Sequence, residues 1–320
     1  MQRLIGKFVG SEEGTLIIAL AAMHGNETAG VQALKCLFSM LEEERNKNPD
    51  FKFKGQVVGL MGNIEAYKQN LRFVKKDLNR QLAKENIVSL LPKSENNTHF
   101  EGSIAEKLAY EDLELKELIE HIDKAIADYQ PKKIIILDLH TTSATGGIFT
   151  IVSEDADSLK IATELYAPVV KGLIKGVGGS TLHYFKTANM GIPTTAIAFE
   201  AGQHDDPRSV QRTIAWLLHS FRAIGSIKID DLTYKYDDLL RGYSKGLPKV
   251  VKLIGVHKIG QEDRFKKQPD YQNFQRVQKG EILAYDKNGA IEAPEDCLIL
   301  MPLYQPQGND GFFLVKEKEF

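Results

Sequence analysis

Cysteine is nearly missing from this chain: Cys36 and Cys297 are the only two in 320 residues, and neither sits in a C-x-x-C spacing. That excludes a disulfide framework and fits a reducing compartment. Long apolar runs are missing as well. Stretches such as residues 16–23 fall well short of the ~20 residues that span a bilayer, and residues 1–7 lack the apolar core of a signal peptide. Excess charge of either sign is also lacking, since 41 Lys and Arg against 43 Asp and Glu give a net charge of −2. A chain this close to neutral does not present the broad basic field that nucleic-acid binding needs. No G-x-x-x-x-G-K-[ST] loop and no G-x-S-x-G elbow occurs, which argues against a P-loop nucleotide site and a serine hydrolase. The expectation is a soluble cytoplasmic protein with no membrane and no nucleic-acid partner.

What is present is ordinary globular composition, 42% hydrophobic and 26% charged, in a length that suggests roughly two domains. Continuous apolar runs at 15–22, 56–61, 133–139, 147–152 and 194–199 read as strands covered on both faces. Helical patterns at 30–46, 103–129, 157–175 and 207–224 lie between or beside them, with Ser103 and Glu106 as a capping box for the second. Cys36 falls within the first of these patterns and reads as a core residue. This alternation predicts a three-layer α/β/α domain with a mixed sheet over residues 1–225. From 226 to 320 the pattern changes to short β-like pieces at 249–258, 281–285, 297–303 and 311–315, separated by turn residues. That stretch predicts a small, mostly β C-terminal domain without a long helix. Residues 93–98 read as a surface loop, and Gly176-Val177-Gly178-Gly179 as a turn.

In an open α/β sheet, ligands bind beyond the carboxyl ends of the strands, so the residues that follow each strand carry the functional signal. The first run is followed by His24-Gly25-Asn26-Glu27 and the second by Asn63, Arg72 and Asp77-Leu78-Asn79-Arg80. The third is followed by His140, and the run at 194–199 by Glu200. One H-x-x-[DE] match is about what chance supplies in such a chain, and Asn26 or Thr28 could simply cap a helix here. A second histidine at a neighbouring strand end favours a metal reading. His24, Glu27 and His140 then supply the three donors of a catalytic zinc that keeps one position open. Asp77 would take a hydrogen bond from the far nitrogen of His24, and Arg72 would polarise a scissile carbonyl. Asn79 and Arg80 suit a carboxylate, and Glu200 is placed as the base that takes a proton from zinc-bound water. His204-Asp205-Asp206-Pro207 reads instead as a helix start.

Together these motifs, in this order over residues 13–205, resemble the succinylglutamate desuccinylase/aspartoacylase family, a branch related to the zinc carboxypeptidases. Gly280-Glu281-Ile282-Leu283 and Ala293-Pro294 are similar to that family's C-terminal domain. The resemblance implies one Zn²⁺ per chain on His24, Glu27 and His140, with Glu200 and Arg72 as the catalytic pair. It further implies that Asn79, Arg80 and Asn63 bind a small-molecule substrate carrying a carboxylate, and that an N-acyl amino acid or related amide is hydrolysed. A homo-oligomer is compatible with it. Two family features are missing. There is no arginine between Lys171 and Glu200, and Phe312-Phe313 stands where a tyrosine is expected, with Tyr304 further upstream. The resemblance therefore does not extend to N-acetylaspartate or N-succinylglutamate as the substrate. A metallocarboxypeptidase acting on a peptide C-terminus, and a non-catalytic metal- or ligand-binding homologue, are the alternative readings.

Overall fold

Leu16, Ile18 and Leu20 pack into one apolar cluster and Ile17, Ala19 and Ala21 into another, and all six side chains are fully buried. A strand with apolar residues on both faces must be covered on both faces, and the computed structural model, which describes residues 1–90, 109–232 and 236–319, shows this arrangement. The strand is β2 (Glu12–Ala21), preceded by β1 (Leu4–Val9). After them come β3 (Lys54–Met61), β4 (Ile134–Thr142), β5 (Phe149–Val152), β6 (Val169–Lys171) and β7 (Thr194–Gln203). The C-terminal stretch adds β8 (Val250–Lys258), β9 (Lys266–Lys267), β10 (Gln275–Val277), β11 (Ile282–Asp286), β12 (Gly289–Glu292), β13 (Cys297–Leu300) and β14 (Asp310–Glu317). The described residues form a mixed sheet in the order β1-β3-β2-β4-β7-β5-β6-β8-β14-β13-β10, and β12-β11-β9 form a smaller sheet.

The helices are α1 (Ala29–Lys47), α2 (Ile64–Gln69), α3 (Lys84–Leu90), α4 (Tyr110–Tyr129), α5 (Ala156–Thr163), α6 (Leu173–Gly176), α7 (Thr181–Tyr184), α8 (Thr187–Met190), α9 (Arg208–Ile224) and α10 (Asp237–Ser244). Helices α1 and α9 cover one face through residues such as Leu34, Leu37, Leu217 and Phe221. Helix α4 covers the other with Leu115, Leu118 and Ile122. The three layers expected from the sequence are therefore present, with a strand-rich C-terminal region in addition.

Two expectations need correction. The helical pattern at 157–175 is not one helix: α5 ends at Thr163, and Val169–Lys171 form β6 between β5 and β8. Pro168, which has no N–H, precedes the β-branched pair Val169-Val170, and both features favour a strand over a helix. Cys36 is exposed, because α1 turns Leu34 and Leu37 rather than Cys36 toward the sheet. The C-terminal region holds one short helix among the described residues, α10, and no long one, as its pattern predicts. The capping box at Ser103 and Glu106 and the loop at 93–98 lie outside the described residues.

Candidate metal centre and its cavity

His24 leaves β2 through a tight turn in which Gly25 packs against α2. A Cβ on Gly25 would lie 2.1 Å from the carbonyl carbon of Ala66. The turn closes with Glu27 N donating to His24 O at 3.1 Å. No side-chain hydrogen bond from Thr28 caps α1, and Asn26 donates to Gln305 instead. Thr28 and Asn26 thus give α1 no side-chain cap among the described residues. His140 and Glu200 face one another in the parallel register of β4 and β7.

The Glu27 carboxylate joins the two histidines: Oε1 lies 2.8 Å from His24 Nδ1 and Oε2 lies 2.8 Å from His140 Nδ1. The three residues are buried, and one donor atom from each lies within 4.8 Å of the others. The cluster can therefore hold a metal ion. The outer nitrogens face carboxylates as well. Asp77 Oδ1 is 3.1 Å from His24 Nε2, and Asp138 Oδ2 is 2.9 Å from His140 Nε2, off the line of a hydrogen bond. That leaves Nδ1 of both rings on the inner side, which is how carboxylates orient ligating imidazoles.

Electrostatics follow from this packing. Burial alone would raise the pKa of Glu27, but His24 and His140 outweigh it and hold the carboxylate well below its usual range. Burial alone would lower His140, but Asp138 and Glu27 hold it well above the ordinary histidine value. Glu200 goes the other way: burial, reinforced by Glu27 and Asp138 and opposed by His140 and Arg72, pushes it up to about 8. Its Oε2 is buried and has no hydrogen-bond partner among the described residues.

Arg72 reaches Asp77 Oδ2 through Nε at 3.3 Å and Nη2 at 3.1 Å, and its Nη1 lies 3.6 Å from Glu27. Arg80 Nη2 donates to Asp310 Oδ2 at 2.6 Å, and Lys258 pairs with the other oxygen of Asp310. Asn79 accepts through Oδ1 from Thr181 N at 2.9 Å and Thr181 Oγ1 at 3.0 Å, while its Nδ2 lies 3.3 Å from His140 Nε2. His24, Glu27, Arg72, Asn79, Arg80, His140 and Glu200 all line one cavity of about 120 Å³. Asn63 is not among its lining residues. It is fully buried, its Oδ1 capping α2 at Ala66 N and its Nδ2 donating to Glu111 at 3.2 Å. The expectation that Asn63 contacts substrate is therefore set aside, since both ends of its amide are spent on holding chain.

Residues 13–215 match the succinylglutamate desuccinylase/aspartoacylase catalytic domain. The chain belongs to this family. A probable aspartoacylase of Nostoc sp. is 25% identical over 249 residues, covering 76% of this chain and 70% of that one. The fold is similar to that of a succinylglutamate desuccinylase from Vibrio parahaemolyticus, with TM-score 0.62 and 16% identity over 96% of this chain and 83% of that chain. A succinylglutamate desuccinylase/aspartoacylase from Rhodobacter sphaeroides gives TM-score 0.61 and 16% identity over 96% and 86%. The family is one of deacylases, so the chain takes its place among hydrolytic enzymes. Among the described residues, no helix is long and apolar enough to cross a membrane.

Several contributors escaped the sequence reading. Asp138 stands two residues before His140, so the period of a strand puts both on one face, a signal that was available. Thr141 N donates to Glu27 Oε2 at 3.1 Å. Glu111, fully buried in the first turn of α4, accepts from Val74 N at 2.7 Å and from Lys75 N and Lys76 N at 3.2 Å. It thereby fixes the loop between Arg72 and Asp77. Gln307 accepts from Arg72 N at 3.0 Å and donates to Phe73 O at 2.9 Å. The tyrosine position stays apolar: Phe313 lines the cavity, whereas Tyr304 OH donates to Gln268 O at 3.0 Å and is not among the lining residues.

Proposed function

We propose that the protein is a zinc-dependent hydrolase that cleaves the amide bond of a small N-acyl amino acid or related amide. The observation that carries this is a three-donor cluster sharing a cavity with Glu200, a buried carboxylate that has a free oxygen. Two imidazoles and one carboxylate, with the outer nitrogens bonded to Asp77 and set beside Asp138, suit Zn²⁺ in a site that leaves one position open. When bound there on His24, Glu27 and His140, zinc supplies a lowered pKa for water and a polarised carbonyl.

The chain's own residues do the rest. Glu200 takes a proton from the attacking water and delivers it to the nitrogen of the leaving amine as the C–N bond breaks, so the products are a carboxylic acid and an amino acid. A base with a pKa raised toward neutrality both accepts and returns that proton readily. Arg72, fixed by Asp77, offers its guanidinium to the carbonyl oxygen as negative charge develops there. Arg80, with Asn79 beside it, holds the carboxylate of the amino-acid product. The isolated cysteines support a cytoplasmic site of action.

Metal analysis and turnover of two variants test this reading. The wild type should hold about one Zn²⁺ per chain, and His24→Ala should lose it. Glu200→Gln should keep the metal and lose on the order of 10²-fold or more in turnover. Full metal in His24→Ala, or an unchanged rate in Glu200→Gln, would overturn the assignment. Hydrolysis of peptides in preference to N-acyl amino acids would favour a carboxypeptidase instead.

A further inference from the structure

Beside Glu200 the cavity is walled by Leu173, Val177, Leu182 and Phe313, over Ile151 and Ala198 of the sheet. All six are buried. The two guanidinium groups lining the cavity already face carboxylates: Arg72 that of Asp77 and Arg80 that of Asp310. Among the described residues, no lysine lines it. Lys175, close by in sequence, pairs with Glu154 at 3.2 Å. A second anion entering this wall would lose its water beside two guanidinium groups that are already paired, whereas an apolar group gains by burial.

The wall also adjoins the carboxylate anchor. A Cβ on Gly179 would come within 2.3 Å of Arg80 O, Leu82 N donates to Gly179 O at 2.8 Å, and Thr181 holds the Asn79 amide. In an amino acid the α-carboxylate and the side chain leave the same carbon. A carboxylate at Arg80 therefore sets the side chain against the neighbouring wall.

Resting on the hydrolase reading above, we infer that the substrate is an N-acyl amino acid with an uncharged, apolar side chain of the leucine or phenylalanine class. Leu173, Val177, Leu182 and Phe313 set that preference.

N-acetyl-L-leucine and N-acetyl-L-aspartate, similar in shape but opposite in polarity, test it in two measurements on the full-length, zinc-loaded chain. One is kcat/KM for the wild type; the other is calorimetric binding to Glu200→Gln. The leucine compound should be favoured by roughly tenfold or more in both. Equal or better turnover of the aspartate compound would overturn the apolar wall and leave the hydrolase intact. A binding preference for leucine without turnover in the wild type would sustain the wall and overturn the hydrolase. Absence of binding and turnover at millimolar ligand would overturn both. Val177→Arg should narrow the preference, and the gentler Leu182→Ala should weaken the leucine compound alone. An unchanged preference in both variants, with melting curves intact, would remove the wall from specificity.

Discussion

Glu27 offers one oxygen to each of two imidazoles, and this has a consequence for protons. Asp138 and Glu27 favour the protonated form of His140, outweighing burial and raising its pKa well above the ordinary value. A metal needs the bare nitrogen, so loading should expel about one proton near neutrality. Affinity should rise with pH up to the raised value and level off above it. Calorimetric titration of zinc in buffers of different ionisation heat measures the released proton, and a heat independent of buffer would contradict the prediction. The outer carboxylates make a second claim at this scale. Asp77→Asn and Asp138→Asn should each retain the full ligand set yet weaken zinc by about 10- to 100-fold, as read by competition with a chelator. Unchanged affinity in both would mean that the rings are oriented by packing alone.

Among the elements, the segment between Arg72 and Asp77 owes its shape to α4. Glu111 collects the N–H groups of three consecutive residues that have no strand or helix partner. Glu111→Ala would remove the shared acceptor of those half-buried and exposed N–H groups and cost about 1–3 kcal/mol, visible as a lower melting temperature. It should also lower kcat in the still-folded protein with zinc retained, because Arg72 loses its placement. A kcat that stays at the wild-type level below the melting range would confine Glu111 to stability. This element also marks where sequence reading stops. The strands that carry His24, His140 and Glu200 were legible because apolar runs buried on both faces have no other arrangement to adopt. Residues 157–175 misled because their apolar spacing suits a helix, while Pro168 and the sheet positions beside β5 and β8 decide otherwise. Glu111 on a helix, or Asp310 some 230 residues from Arg80, carries no local pattern. Only the fold brings such a carboxylate to its partners.

For the whole molecule, we propose that residues 1–225 form the catalytic body and 226–320 a strand-rich extension sharing its core. Strand β8 pairs with β6 in parallel and with β14 in antiparallel. Leu298, Leu300, Phe313 and Val315 pack in the same cluster as Phe149, Leu173 and Val177. Continuous pairing and a shared core predict one cooperative thermal transition, with calorimetric and van't Hoff enthalpies in agreement. Two separated transitions would show that the extension folds alone. The extension also reaches the chemistry directly: Gln305 holds Asn26, Gln307 holds the backbone at Arg72 and Phe73, and Asp310 holds Arg80.

The grip of Gln307 on Arg72 spans 235 positions of the chain. During synthesis, His24, Glu27, His140 and Glu200 leave the ribosome long before the residue that fastens Arg72. A nascent chain halted after α9 would carry His24, Glu27, His140, Glu200 and both arginines and still lack Gln307 and Asp310, so the arginines are fastened only with the final strands.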